Sequence, residues 1–221
     1  QYRDVAEVCY LNAQTLAPSE RRWPYYLGHV YRSTGAFARS ATFFEQALQL
    51  RPDDVPTLVW LGEAHLAQGQ PEAAEPQFEQ VLALQPGSIW ARFGLGRAAL
   101  ARQDYARAVQ HLEEALTIDQ RVTSLHYPLA MAYRGLGELD KAEAHLRQRG
   151  DLQILPADPL MEESAVVLRS PLAYEQRGTQ AIDRGEWAAA AEYLREGVEL
   201  APTDPSLRQK LGVALFMLAD A

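Results

Sequence analysis

Three groups of residues in this sequence have types and spacings that invite a chemical reading. Gly94-Leu-Gly96-Arg97-Ala98-Ala99 satisfies the loose pattern G-x-G-x-x-A. That pattern holds a pyrophosphate on free backbone amides where a strand turns into a helix. Five histidines, His29, His65, His111, His126 and His145, are candidate metal ligands. The neighbouring carboxylates Glu113–Glu114 and Glu162–Glu163 are candidate acid–base pairs. None has the surroundings its chemistry needs. The glycine pattern falls inside a helical periodicity, where the amides are already bonded. The histidines are scattered, and Cys9 is the only cysteine that could support them, so packing or solvent roles are expected and no metal. Adjacent helix positions point in different directions, which makes poor acid–base partners. No H-E-x-x-H, P-loop or G-x-S-x-G sequence occurs. The expectation is a protein that is not an enzyme and carries no cofactor.

What positions these residues is a repeat. Gly28, Gly62 and Gly96 recur at a 34-residue interval, Ala130 takes the next place, and each follows a leucine (Leu27, Leu61, Leu95, Leu129). Pro18, Pro52 and Pro86 keep the interval, as do Ala74, Ala108 and Ala142, and the large residues Phe44, Phe78, Leu112 and Leu146. Each unit reads as two helices. "VPTLVWLGEAHLAQG" is a first helix stopped by Gly69, and "QPEAAEPQFEQVLALQP" a second, with Pro71 in its first turn and Pro86 ending it. A glycine inside a helix costs about 1 kcal/mol against alanine, so these must serve a close helix crossing.

This pattern resembles the tetratricopeptide repeat, a 34-residue helix–turn–helix. It fits 21–54, 55–88, 89–122 and 123–150, and returns at Gly178, Gly185, Ala190, Leu194 and Pro202, with Arg177 in a leucine's place. The resemblance implies an all-α, right-handed superhelical solenoid of antiparallel helix pairs, about five repeats with partial repeats at both ends. Residues 3–18, with Ala6, Tyr10 and Ala13, fit a second helix without its first, and 205–219 fit a first helix without its second. The expected organisation is a repeat array over 1–150, an insertion over 151–170, and the array continued over 171–221. Asp158-Pro159 starts a short helix in the insertion, with Leu160, Val167 and Leu168 as its apolar stripe. The chain reads as a piece cut from a longer protein.

A net charge of −8 argues against general nucleic-acid binding. The longest apolar run, 211–219, is too short to span a bilayer. Only two of the 21 basic residues are lysines, a bias associated with GC-rich bacterial genomes. Neither the single cysteine nor the composition decides between cytoplasm and periplasm.

In this family first helices line a concave face used for partners. Helical spacing then puts Tyr25, His29 and Arg32 on that face, beside Val59 and Glu63, followed by Trp90, Phe93 and Arg97, then Tyr127, Met131 and Arg134. Trp23 and Trp60 read as packing residues. Aromatics and arginines favour a partner segment with apolar and acidic residues. The lysine–asparagine carboxylate clamp of chaperone-binding relatives is not matched, since Asn12, Lys141 and Lys210 stand at the wrong positions. The reading is a non-enzymatic scaffold that binds a protein segment in its groove. Its alternative is the recruiting arm of a larger enzyme whose catalytic domain lies outside these residues. Leu211, Leu215, Phe216 and Met217 form an uncovered apolar face expected to make a homodimer through the C-terminal helix, unless 151–170 folds back over it.

Overall fold

A computed structural model describes residues 2–150, 152, 158–168 and 170–219, the side chains of 2–4 and 164–168 excepted. Among the described residues it is all-helical. The helices are α1 (Tyr2–Leu16), α2 (Arg22–Ser33), α3 (Phe37–Leu50), α4 (Val55–Ala67), α5 (Pro71–Leu84), α6 (Ile89–Ala101), α7 (Tyr105–Ile118), α8 (His126–Gly135) and α9 (Leu139–Gln148). They are followed by α10 (Pro159–Leu168), α11 (Pro171–Asp183), α12 (Trp187–Leu200) and α13 (Pro205–Ala219). A 3-10 turn, Thr123–Leu125, leads into α8. The chain divides into two compact units, residues 1–157 and 158–221.

In the first unit α2–α3, α4–α5, α6–α7 and α8–α9 are helix pairs, and α1 packs on α2. Contacts run between chain neighbours: α3 on α4, α5 on α6, and α4 on α6. Side-chain caps start several helices. Asp54 accepts from the Thr57 amide (3.3 Å) and Ser88 from the Ala91 amide (3.3 Å). Each pair turns through a left-handed residue, Gly35, Gly69 or Gly137 with φ of 76°, 71° and 80°. In the α6–α7 pair that place is filled by Gln103, φ 61°.

The period exists because helices cross closely at its glycines. A Cβ on Gly28 would lie 2.5 Å from the Phe44 ring, and one on Gly62 2.6 Å from Phe78. Phe78 is also met from the next repeat, where a Cβ on Gly94 would come within 2.4 Å. Its ring therefore lies between two glycines and is 0% exposed, at the centre of a core with Leu58, Val59, Ala74, Val81, Ala91 and Leu95. Full burial of such a ring is worth ~1.5–3 kcal/mol, which exceeds the propensity cost of one glycine.

In the second unit α11 and α12 form a pair on which α13 packs, with Leu194 and Leu207 at 0% exposure in its core. The Asp158 side chain caps α10, accepting from the Met161 amide at 3.1 Å. Leu160 is buried, while the side chains of Val167 and Leu168 lie outside the described residues. On α13, Leu211 is half-buried, and Leu215, Phe216 and Met217 are 41%, 66% and 36% exposed.

Candidate interaction face

The first helices of unit 1 sort the expected face residues by depth. Tyr25 is 0% exposed and His29 is 9% exposed. Their rings lie 4.7 Å apart and both stand against Phe44, at 5.9 and 5.2 Å. The expectation that Tyr25 and His29 line an open groove is therefore corrected. Seating Phe44 on Gly28 closes the second helix over this part of α2, and packing three rings together stabilises more than leaving them to solvent.

The half-buried residues further along tie to one another. The Arg32 guanidinium lies 4.3 Å from the centroid of the Trp60 ring, which in turn meets His29 at 5.2 Å. Arg97 Nη1 donates to both Glu63 carboxylate oxygens at 2.7 Å. The same guanidinium stands 5.3 Å over Phe93, and Phe93 meets Trp90 edge-on at 6.1 Å. Glu63 and Arg97 occupy one position of successive repeats, so adjacent first helices present them side by side. Arg97 thus enters the face already paired with a carboxylate, which removes it as a ready anchor for an acidic partner.

Three expected residues remain accessible on α8. Tyr127 is 55% exposed, Arg134 is exposed and Met131 is half-buried. Their i, i+4, i+7 spacing makes one stripe. Beside it, Trp90 and Phe93 line a small apolar crevice with Ile89, Val122, Ser124 and Leu125, with room for about one water molecule. Trp90 Nε1 is buried without a hydrogen-bond partner among the described residues. An unmade hydrogen bond of this kind costs ~1–3 kcal/mol.

The other residues first weighed for chemistry have structural roles. Gly94 and Gly96 lie inside α6 and receive Phe78 and Leu112, not a pyrophosphate. Lys141 pairs with Glu138 (2.5 Å) and Lys210 with Glu175 (2.8 Å). Among the described residues no group of three His, Cys, Asp or Glu side chains is arranged to hold a metal. The scattered histidines do include one encounter. His126 and His145 approach to 2.9 Å between Nδ1 atoms, His145 stacks on Tyr133 (5.5 Å, 9°), and the Tyr133 hydroxyl donates to Glu113. Burial pushes the His126 pKa down, aided by the charge of His145. Burial also lowers His145, against the pull of Glu113. Burial and the Glu113 bond raise the Tyr133 hydroxyl above the usual tyrosine range. The two histidines sit on the first and second helices of one repeat, so the repeat register held the signal that single motifs did not.

Three tetratricopeptide repeat models match the sequence, over residues 25–54, 53–121 and 99–151. Together they span more than half of the chain, which belongs to the tetratricopeptide repeat family. A thermophilic repeat protein of Thermus thermophilus is 25% identical, covering 89% of this chain and 100% of its own, with a TM-score of 0.54. MamA of Desulfovibrio magneticus RS-1 is 20% identical over 74% of this chain and 86% of its own, at 0.62. A repeat protein from Parabacteroides merdae ATCC 43184 is 15% identical over 97% of this chain and 78% of its own, at 0.60. The last two likenesses show the fold alone. No curated protein matches the sequence. Repeat proteins of this family are in general non-catalytic scaffolds for protein–protein contact. No helix among the described residues is long and apolar enough to cross a membrane.

Proposed function

We propose that the first-helix face of unit 1 holds a partner protein segment, centred on Trp90, Phe93, Tyr127, Met131 and Arg134. The observation that carries this reading is the pairing of a half-buried apolar patch at Trp90 and Phe93 with an exposed tyrosine and arginine one helix away. An apolar side chain of the segment packs over Trp90 and Phe93, Tyr127 lies along it, and a carboxylate meets Arg134. Aromatic and arginine residues of this kind dominate binding energies where they are desolvated. Arg32 and Arg97 hold the wall through Trp60 and Glu63.

Peptides selected by display against the intact chain test the site. Their affinity, measured by fluorescence anisotropy, should fall about tenfold or more with Trp90→Phe plus Tyr127→Ala, equivalent to ~1.4 kcal/mol. Arg134→Glu should select against acidic peptides. Selected peptides that bind all of these variants with unchanged affinity would overturn the assignment.

A further inference from the structure

Six arginines of unit 1 are half-buried among the described side chains: Arg21, Arg22, Arg32, Arg92, Arg97 and Arg107. Five of them meet a carboxylate. Arg21 pairs with Asp54, Arg22 with Glu20, Arg92 with Glu114, Arg97 with Glu63, and Arg107 with Glu75 and Glu79. Arg32 is the exception. Its guanidinium lies over Trp60, 4.3 Å from the ring centroid, and its Nε is buried without a hydrogen-bond partner. Among the described residues no carboxylate pairs with it.

A charge half withdrawn from water without a counter-ion is costly. The C-terminal end of α2 and the Trp60 ring both attract the cation, and neither neutralises it. The one carboxylate of α4, Glu63, stands one turn beyond Trp60. It is held instead by Arg97 of α6, which reaches both of its oxygens at 2.7 Å. Arg32 and Trp60 belong to the first helices of successive repeats, with α3 and α5 packed behind them, so the guanidinium lies between two helices that each have their partner.

We propose that Arg32, held on Trp60, is a binding site for a peptide carboxylate, from an acidic side chain or a chain end. With Nε turned inward, Nη1 and Nη2 form the edge that meets the two carboxylate oxygens, a geometry that suits a planar guanidinium and not an ammonium. One cation on a chain of net charge −8 matches the single charge of a carboxylate better than the nearly double charge of a phosphate. The site lies on α2 and α4. It shares no residue with the patch on α6 and α8 and does not depend on it.

NMR of the arginine side-chain N–H groups in the whole chain, at low salt, tests this. The probes are N-acetylglutamate amide, which carries only a side-chain carboxylate, N-acetylglycine, which carries only a terminal one, and inorganic phosphate. Arg32 should bind one or both of the carboxylates at least about fivefold more tightly than the exposed Arg134 does. The Trp60 indole signal should move in step, and the probe that acts identifies the source of the carboxylate. Arg32→Lys keeps the charge without the fork, so the Trp60 response should weaken about fivefold or more. Arg32→Gln should abolish it. Trp90→Phe plus Tyr127→Ala should leave it unchanged, which separates this site from the patch at Trp90. An Arg32 no more responsive than Arg134, a Trp60 response that survives Arg32→Gln, or saturation by phosphate alone would overturn the proposal.

Discussion

Arg97 closes on Glu63 across one full repeat, a single guanidinium nitrogen reaching both carboxylate oxygens at 2.7 Å. The side chains are 35% and 19% exposed, so the pair is partly withdrawn from water. It joins neighbouring repeats, and it removes from the face the positive charge that an acidic ligand would otherwise seek.

A double-mutant cycle on Glu63→Ala and Arg97→Ala should give a coupling of about 0.5–1 kcal/mol in urea unfolding, the upper range for partly exposed pairs. High salt should shrink it. Additive single mutants would assign the contact no energetic role.

Adding a methyl at Gly62 should cost about 1–3 kcal/mol, because the Phe78 ring occupies that space and is held on its far side by Gly94. Phe78→Leu in the same molecule should make the loss less than additive. Ala130 already stands at this register with Leu146 in the phenylalanine's place. Full additivity in thermal unfolding would count against a shared contact.

Gln103 sits at φ 61° where the other repeats of unit 1 carry glycine. Gln103→Gly should stabilise the protein by about 1 kcal/mol, since a side chain in the left-handed region is strained. A urea midpoint that stays or falls would contradict this.

The His126–His145 contact predicts a pH effect. Both pKa values lie below the ordinary histidine value in the folded protein. The unfolded chain therefore binds more protons as pH falls through about 6.5, and stability present above that value is lost below it. Facing groups are Tyr133 and Glu113. His145→Gln should be less stable than wild type at pH 8 but lose less between pH 7 and 5. His111, also lowered by burial, should keep part of the slope in both. Parallel pH profiles would discard the coupling.

The fold was legible because the period marks helix crossings, and Gly28 with Phe44 or Gly62 with Phe78 needs only one register to be read. The face was legible in part. Helical spacing grouped Tyr25 with Phe93 and Tyr127, which share a repeat position, yet α3 covers Tyr25 while Tyr127 on α8 is 55% exposed. Periodicity names a stripe without telling how far the neighbouring helix overlaps it. The Glu63–Arg97 pair and the two histidines needed the register read between repeats and between paired helices, and Gln103 hid because its conformation, not its residue type, matches the other turns.

In unit 1 each helix touches those next to it in the chain, α4 meeting α5 and α6, and α6 meeting α7 and α8. Among the described residues of unit 1 the main helix contacts join near neighbours in the chain, so little loop entropy is spent before contacts form, and such topologies assemble quickly. Any pair can begin the process and hand order to its neighbours. By the same token a pull on the ends is resisted by one junction at a time.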